Sequence, residues 1–496
     1  MSSANRWLIL VAVMAAFLPV VVDMTILHIA IPSLTVSLGA SGTEVLWIID
    51  IYALVMAGLL VPMGTLADRL GYRRMLLAGL ALFGLASLAA AFSTSAAMLI
   101  AARAVLGIGA AMIMPCVLAV IRTTFEDDAE RARALGMWSV IGMAGAAIGP
   151  LIGGVLLEHF WWGSVFLVNI PVLAIVVPMV WMLVPNNAGN GAEEWKIGQA
   201  ALLVIGLVMT VFAIKTGMKG GIDAVVVVTA IAGVSAVGWF ARLQVVSAVP
   251  MLDLSLFRKP AITVGILMAF VASGALAGFE LVLAQELQYV IGMSPLEAGL
   301  FMLPLVIAAA VGGPLGGSLA HRFGLRPIAS LSMVGAAASL FALASVDLMA
   351  STMTTAVLLG VLGLCLGIGL LASSIAIMGS APPEKAGAAG ALESTGYELG
   401  GGIGITFFGV LVNSLYFTAV SRAGTAEAQA GGSIGEAMTA ALRLGGEEGE
   451  VLRQAARAAF THAHGSVLSI TGAMIAVLAV AVFVALRGVR AEAVGH

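Results

Sequence analysis

Fourteen apolar stretches, each close to the length that crosses a hydrocarbon core, follow one another along this chain. They run over 8–31, 45–66, 74–94, 97–121, 133–157, 161–184, 197–216, 222–242, 260–287, 295–319, 326–346, 352–378, 388–413 and 464–486. A spanning helix needs about 20 apolar residues, and a chain inside a bilayer must satisfy its own backbone hydrogen bonds, so only helices or a closed barrel can cross. Barrel strands are shorter and alternate polar with apolar residues; these stretches do neither. With 61% of 496 residues hydrophobic and 10% charged, the chain has too little polar surface to cover itself in water. The expected fold is an all-α integral membrane protein with fourteen transmembrane helices. The first stretch is too long for a signal-peptide core and lacks a small-residue cleavage site, so it reads as a membrane helix.

Loop charges set the expected orientation. With both termini in the cytoplasm, sixteen of the twenty-three Lys and Arg residues fall on that side, including Arg69, Arg73, Arg74, Arg122, Arg131, Arg133, Arg258, Lys259, Arg322, Arg326, Arg487 and Arg490. Six fall outside, and Arg422, Arg443, Arg453 and Arg457 of these share one long loop, 414–463. The net charge of −3 gives no reason to expect a nucleic-acid partner. Cys116 and Cys365 sit inside apolar runs, where they read as small buried side chains without a disulfide framework.

The chain repeats itself. "GTLADRLGYRR" at 64–74 returns 253 positions later as "GSLAHRFGLRP" at 317–327, pairing Gly64 with Gly317, Ala67 with Ala320, Arg69 with Arg322, Gly71 with Gly324 and Arg73 with Arg326. The fifth stretch carries Gly145, Gly149 and Gly153, and the thirteenth carries Gly396, Gly400 and Gly404, an offset of 251. Parallel repeats of this kind build one class of secondary transporter. The expected organisation is a six-helix bundle over 1–184, two inserted helices with linkers over 185–258, and a pseudo-symmetric second bundle over 259–496 that includes the outer loop 414–463. Within that loop, the spacing of Val451, Leu452, Ala455, Ala459 and Phe460 predicts a short amphipathic helix on the outer surface. His462 and His464 have no partner cluster, and no metal site is expected.

A charge at membrane depth is costly, so each one invites a functional reading. Asp23, Asp50, Glu280, Glu393, Glu398 and Arg103 all lie within the apolar stretches. Asp23, Asp50 and Arg103 share a depth, so Arg103 can offset one carboxylate and the rest form a surplus. Such a surplus holds protons or cations, because a desolvated carboxylate keeps its proton more tightly and yields it to an arriving cation. Asp50 and Glu393 could equally hydrogen-bond neighbouring helices, and Glu286, at a helix end, reads as solvated. His28 adds a titratable group; Glu280 follows it by 252 positions, which predicts that the two face one cavity from opposite halves. Trp47, Tyr52, Trp138, Met143, Phe279 and Tyr397 are the expected pocket walls, since aromatic faces attract cations, with plain packing as the alternative.

The repeated phrase has a mechanical reading. Gly64 and Gly71 would allow close backbone approach, Asp68 would accept hydrogen bonds from a helix start or an arginine, and Arg69, Arg73, Arg74 and Arg322 would complete a gating loop. In the fifth stretch Gly145, Gly149, Gly153 and Gly154 fit close helix packing, and Pro150 removes a backbone hydrogen bond and bends the helix.

At these residues the chain resembles the major facilitator superfamily, in its branch of fourteen-helix drug:proton antiporters. "GTLADRLGYRR" is similar to that family's loop signature between helices 2 and 3, "RAVLGIGAA" (103–111) to its helix 4 signature, "GAAIGPLIGG" (145–154) to its antiporter signature and "DMTILHIAIP" (23–32) to the helix 1 signature of the branch. "LWIIDIYALVMAG", "EHFWWGSVFLVNIP", "MLDLSLF" and "ESTGYELGGGIG" extend the likeness over nearly the whole chain. The resemblance implies a proton-coupled multidrug efflux antiporter for lipophilic mono- and divalent cations: quaternary ammonium compounds, viologens, dyes and biguanides. It implies a monomer in a bacterial inner membrane, with protons, small cations and the bilayer as partners and the proton gradient in place of any cofactor. It also implies that the helix 5 bend seals the antiporter against leak. Two positions depart from the pattern. His28 stands where many relatives carry Asn, and His321 replaces the Asp68 of the first half, which predicts unequal latches. A nutrient facilitator or symporter is the rival reading, disfavoured by the helix 5 pattern. A membrane-embedded enzyme would need a nucleophile–base pair or a metal constellation that the sequence lacks, and a receptor would not need buried carboxylates.

Overall fold

The computed structural model describes residues 3–125, 127–186, 196–221, 223–247, 250–348, 352–382, 385–422 and 432–487. The side chain of Met143 and the whole of Arg490 lie outside the described residues. Among the described residues the regular structure is helical throughout. Thirteen helices are long and apolar enough to cross a membrane, and the remaining expected span carries its apolar stretch at Ile148–His159.

The first half comprises α1 (Ser3–Leu38), α2 (Gly42–Leu70), α3 (Tyr72–Ala91), α4 (Ala96–Thr124) and α5 (Asp128–His159), and a sixth span made of the single turn α6 (Ser164–Leu167) and α7 (Asn169–Leu183). Helices α8 (Ile197–Gly220) and α9 (Ala224–Val246) pack on each other. The second half comprises α10 (Pro260–Gln285), α11 (Pro295–Phe323), α12 (Leu325–Ser345), α13 (Thr352–Ser380), α14 (Ala386–Arg422), the short α15 (Ile434–Leu444) and α16 (Gly446–Ala485).

Packing follows the repeat. Helix α2 lies on α4 as α11 lies on α13, and α1 lies on α5 as α10 lies on α14. Across the halves, α5 packs on α11 and α14 packs on α2. One large apolar core fills each half. The glycine stripes explain the closest of these contacts. A Cβ on Gly149 would overlap Thr25 of α1, and a Cβ on Gly404 would overlap the backbone of Gly274 on α10. Gly145 and Gly153 also face α1, whereas Gly154 faces Leu296 of α11. Helix α5 is thus wedged between its own half and the other, with Pro150 buried beside Gly299 of α11.

The duplicated phrase now has a structural reason. Gly71 and Gly324 have φ values of 95° and 91°, a region costly for any residue with a Cβ. Each is the single residue joining two helices, and each donates its N–H to the matched Ala67 or Ala320 carbonyl, at 2.8 and 2.9 Å. Arg73 lies 6.0 Å over the Trp181 ring of α7, and its counterpart Arg326 lies 3.8 Å over the Phe483 ring of α16. In each half, therefore, an arginine of the loop clasps the end of that half's sixth span. The repeat extends further than the sequence reading took it: Ser41 with Glu44 and Ser294 with Glu297 form capping boxes at the starts of α2 and α11, again 253 positions apart.

The region 414–463 departs from expectation. Helix α14 continues to Arg422, and α16 runs without a break from Gly446 into its membrane span. The stretch read as a separate surface helix is therefore the first part of α16. Its inner face is Leu452, Ala456, Ala459, Phe460 and Ala463, while Val451 points outward. Helix α15 packs on α16 and also reaches α1 and α2, where Glu436 accepts a 2.7 Å hydrogen bond from the N–H of Gly42. At this end the halves close on each other, with Gly154 against Leu296 and Gly409 against Leu46. Toward the end carrying the repeated phrases, Met137 and Val140 of α5 and Ile307 and Val311 of α11 are exposed.

Candidate functional site

Helices α1, α2, α4, α10 and α14 bring most of the membrane-depth charges to the junction of the halves. Asp23, fully buried on α1, is paired with Arg103 Nη1 of α4. Arg103 is itself 1% exposed; its Nε donates to the Ile48 carbonyl at 3.0 Å, and its guanidinium lies 4.4 Å over the Tyr52 ring. The guanidinium is thus satisfied by a carboxylate, a carbonyl and an aromatic face. Asp23 Oδ1 has no hydrogen-bond partner among the described residues.

Three positions bring the second half to this centre. Glu280 of α10 faces His28 of α1, with Oε2 3.3 Å from Nδ1, both side chains buried. The 252-residue offset therefore led to a direct pair across the halves. Glu398 of α14 is 2% exposed, and its Oε2 has no partner among the described residues. Tyr52 lies within electrostatic range of Asp23, Arg103 and Glu398, and Tyr397 within range of Glu398 and Glu280. Tyr397 is 39% exposed, so it borders open space beside the buried carboxylate.

The other expected wall residues divide. Tyr52 belongs to the centre. Phe279 is fully buried in the second-half core, 6.4 Å from the His464 ring, so it packs between helices and lines no opening. Trp138 stacks at 5.2 Å on Phe17 of α1. Trp47 turns toward α8, beneath Lys215 and 6.5 Å from Phe212. Glu393 is half-buried with Ser374 of α13 as its hydrogen-bonding neighbour, which is the helix-linking alternative.

Two charged residues were placed wrongly by the sequence. Lys215, counted among outward charges, is 2% exposed because α8 continues to Gly220, past the end expected at 216. Its Nζ lies 2.7 Å from Asp50 Oδ2, and the Thr406 hydroxyl of α14 donates to the same carboxylate oxygen. Glu286, read as solvated, is 4% exposed: a π-helical turn over Glu286–Ile291 carries it onward beneath α16, where Thr461 donates to it at 2.6 Å and His464 Nδ1 lies 3.5 Å away. His464 is therefore buried, while its neighbour His462 is exposed.

In the loops, Asp68 accepts a 2.6 Å hydrogen bond from the Tyr72 hydroxyl. This is a side-chain partner in the first turn of α3, where a backbone N–H or an arginine was expected. The equivalent positions in the second half are His321 and Leu325, which cannot form that bond. Gly64 makes no unusually close approach, since a Cβ there would sit 3.6 Å from Pro115. Arg69, Arg74 and Arg322 are exposed. Between the inserted pair and the second half, the 3-10 turn Leu254–Arg258 is held by Lys385, whose Nζ lies 2.7 Å from Asp253 and donates to Ser255 at 2.9 Å. The Lys385 ammonium beside it, with help from Ser255, keeps the Asp253 carboxyl below the usual carboxylate range.

A helical duplication with carboxylates at the junction of its halves is the architecture of a transporter family, and the comparisons with known proteins decide which. The profile of the Major Facilitator Superfamily matches residues 13–405. The chain belongs to that superfamily. It is 46% identical to the methyl viologen resistance protein SmvA of Salmonella typhimurium, over 97% of this chain and 98% of that one. It is 36% identical to the multidrug efflux pump LfrA of Mycolicibacterium smegmatis over 97% of both chains. Among solved structures, a bacterial homologue of the human lysosomal transporter Spinster, in an inward-facing and unoccupied conformation, superposes with a TM-score of 0.71 at 18% identity, covering 99% of each chain. That likeness concerns the fold.

Proposed function

We propose that this protein is a proton-coupled exporter of lipophilic cations, seated in a bacterial cytoplasmic membrane with both termini in the cytoplasm. The observation that carries this reading is Glu398. It is buried at the junction of the halves, has an oxygen without a partner among the described residues, follows Tyr397 and lies within electrostatic range of Tyr52. An isolated carboxylate in such surroundings is costly and has to be neutralised. A proton or an organic cation can each do so, and the two then exclude each other. Tyrosine faces add attraction for a quaternary ammonium group or another organic cation.

Asp23 and Glu280 support the same chemistry in a second rank. Each already has a partner, Arg103 or His28, so a cation that reaches either carboxylate must displace that partner. The His28–Glu280 pair joins the halves directly, so separating α1 from α10 at this depth would break it. That links the charge pairing at the site to the conformational change that an exporter of this family design requires. The basic loop ends and the positive-inside pattern support the orientation. The names of SmvA and LfrA support viologens and other drugs as the substrate class.

The test is transport in inside-out vesicles containing the protein. With an imposed gradient, acid inside, ethidium and methyl viologen should accumulate, and a protonophore should release them. Accumulation that persists unchanged after the gradient is dissipated would refute proton coupling and favour a facilitator of another energy source.

A further inference from the structure

The charge at the α2–α8–α14 meeting point is balanced differently from the central site. We propose that Lys215 is the permanent counter-cation of Asp50, and that this pair is a fixed joint fastening the inserted helix α8 to the first half rather than a proton-carrying site. Both side chains are at most 1% exposed, with Nζ and Oδ2 2.7 Å apart. The ammonium also lies 4.1 Å over the Trp47 indole, on the same face of α2 as Asp50. Carboxylate and indole together receive one ammonium ion from two sides, and the chain supplies that ion itself.

The groups facing Asp50 come from three directions. Lys215 approaches from α8 and the Thr406 hydroxyl from α14, while His28 of α1 lies within electrostatic range. Of these, only Lys215 brings a full charge held at contact distance. Thr406 belongs to the second half, so its hydroxyl can leave without unbalancing the carboxylate. Nearer the other end of α8, the fit to α2 is steric: Val204 fills the space over Gly58, where any Cβ would overlap it. By contrast, the contacts that α8 and α9 make with the second half there are apolar, with Leu203 and Phe240 packed among Ile262, Ile377 and Leu392. Leu203 lies roughly 18 Å along α8 from Lys215. Apolar contacts are non-directional, whereas a buried ion pair fixes its partners, so the inserted helices hold to α2 more specifically than to α10, α13 or α14.

The experiment compares Asp50→Asn, Lys215→Met and the double variant in the full-length protein, by vesicle transport across pH. Each single substitution strands one buried charge and should slow transport at least tenfold, roughly the consequence of breaking a buried pair. The double variant strands none, and should recover to within about twofold of wild type with a superimposable pH profile. A double variant as inactive as Asp50→Asn, or one whose pH profile is displaced, would show that Asp50 titrates in the cycle and overturn the proposal. Full activity of Lys215→Met would overturn it too. A second arm covers singles that fail to fold: Asp50→Cys with Lys215→Cys, in a background lacking Cys116 and Cys365, bridged by a bifunctional methanethiosulfonate about as long as the lysine side chain. A fixed joint leaves transport unchanged on bridging. Loss on bridging that reverses on reduction would show that the two positions part, and would refute the joint. This inference is independent of the role given to Glu398: failure of proton coupling would leave it standing.

Discussion

Replacing Glu398 with Gln should lower the affinity for lipophilic cations by about a hundredfold, the scale of losing one buried charge partner, while leaving the folded protein as stable as wild type or more so. The amide keeps the shape of the side chain, and no cationic residue is left stranded, because Glu398 Oε2 has no partner among the described residues. The loss should fall on every cationic substrate, since among the described residues this is the membrane-depth acid at the centre without a lysine, arginine or histidine in contact. Equilibrium binding of ethidium to the purified variant, followed by fluorescence, measures it. Unchanged affinity would remove Glu398 from the binding site and leave Glu280 as the next candidate.

Asp23→Asn should abolish transport, and here the expected cost extends to stability. Asp23 is the ion-pair partner of the fully buried Arg103. Removing one member of a buried pair costs about 3–5 kcal/mol because the other charge remains uncompensated. The carbonyl of Ile48 and the face of Tyr52 retain part of the guanidinium's environment, which places the loss toward the lower end. Combining Asp23→Asn with Arg103→Met should restore thermal stability without restoring transport, since the titratable group is still gone. Detergent-solubilised melting curves and vesicle transport separate the two effects. A double variant that transports would show that the pair is only structural.

How much of this was legible in the sequence depends on what kind of information each feature carries. Fourteen apolar runs and a duplicated loop phrase are patterns of composition and spacing, and they translated directly into helices and matched packing. The Gly71 and Gly324 junctions are the clearest case, because a positive φ between two helices is a demand that a sequence can display. That His28 and Glu280 come from matching positions of the two halves was also readable from their offset, though their direct contact was not.

Failures clustered where a helix ran further than its hydrophobicity suggested. Lys215 looked like a boundary because a lysine ends an apolar run, yet α8 continues for five residues and buries it against Asp50. Glu286 looked like a solvated terminus, yet a π turn and the long start of α16 cover it. In both cases the partner that makes burial tolerable is distant in sequence, Asp50 for the first and Thr461 with His464 for the second. Single-helix hydrophobicity contains no trace of such partners. Aromatic residues failed for a different reason: Phe279 and Trp47 have the right chemistry for a cation site, but rotation about the helix axis, which tertiary packing sets, turns them toward α16 and α8.

The central claim is that a proton and an organic cation compete to neutralise the same buried carboxylate. Adding ethidium to the purified protein in weakly buffered detergent solution near neutral pH, with a pH indicator, tests it most directly. The account predicts release of about one proton per cation bound, as linkage between two exclusive ligands requires, with release absent in Glu398→Gln. Tight binding without any proton release across the neutral range would contradict it.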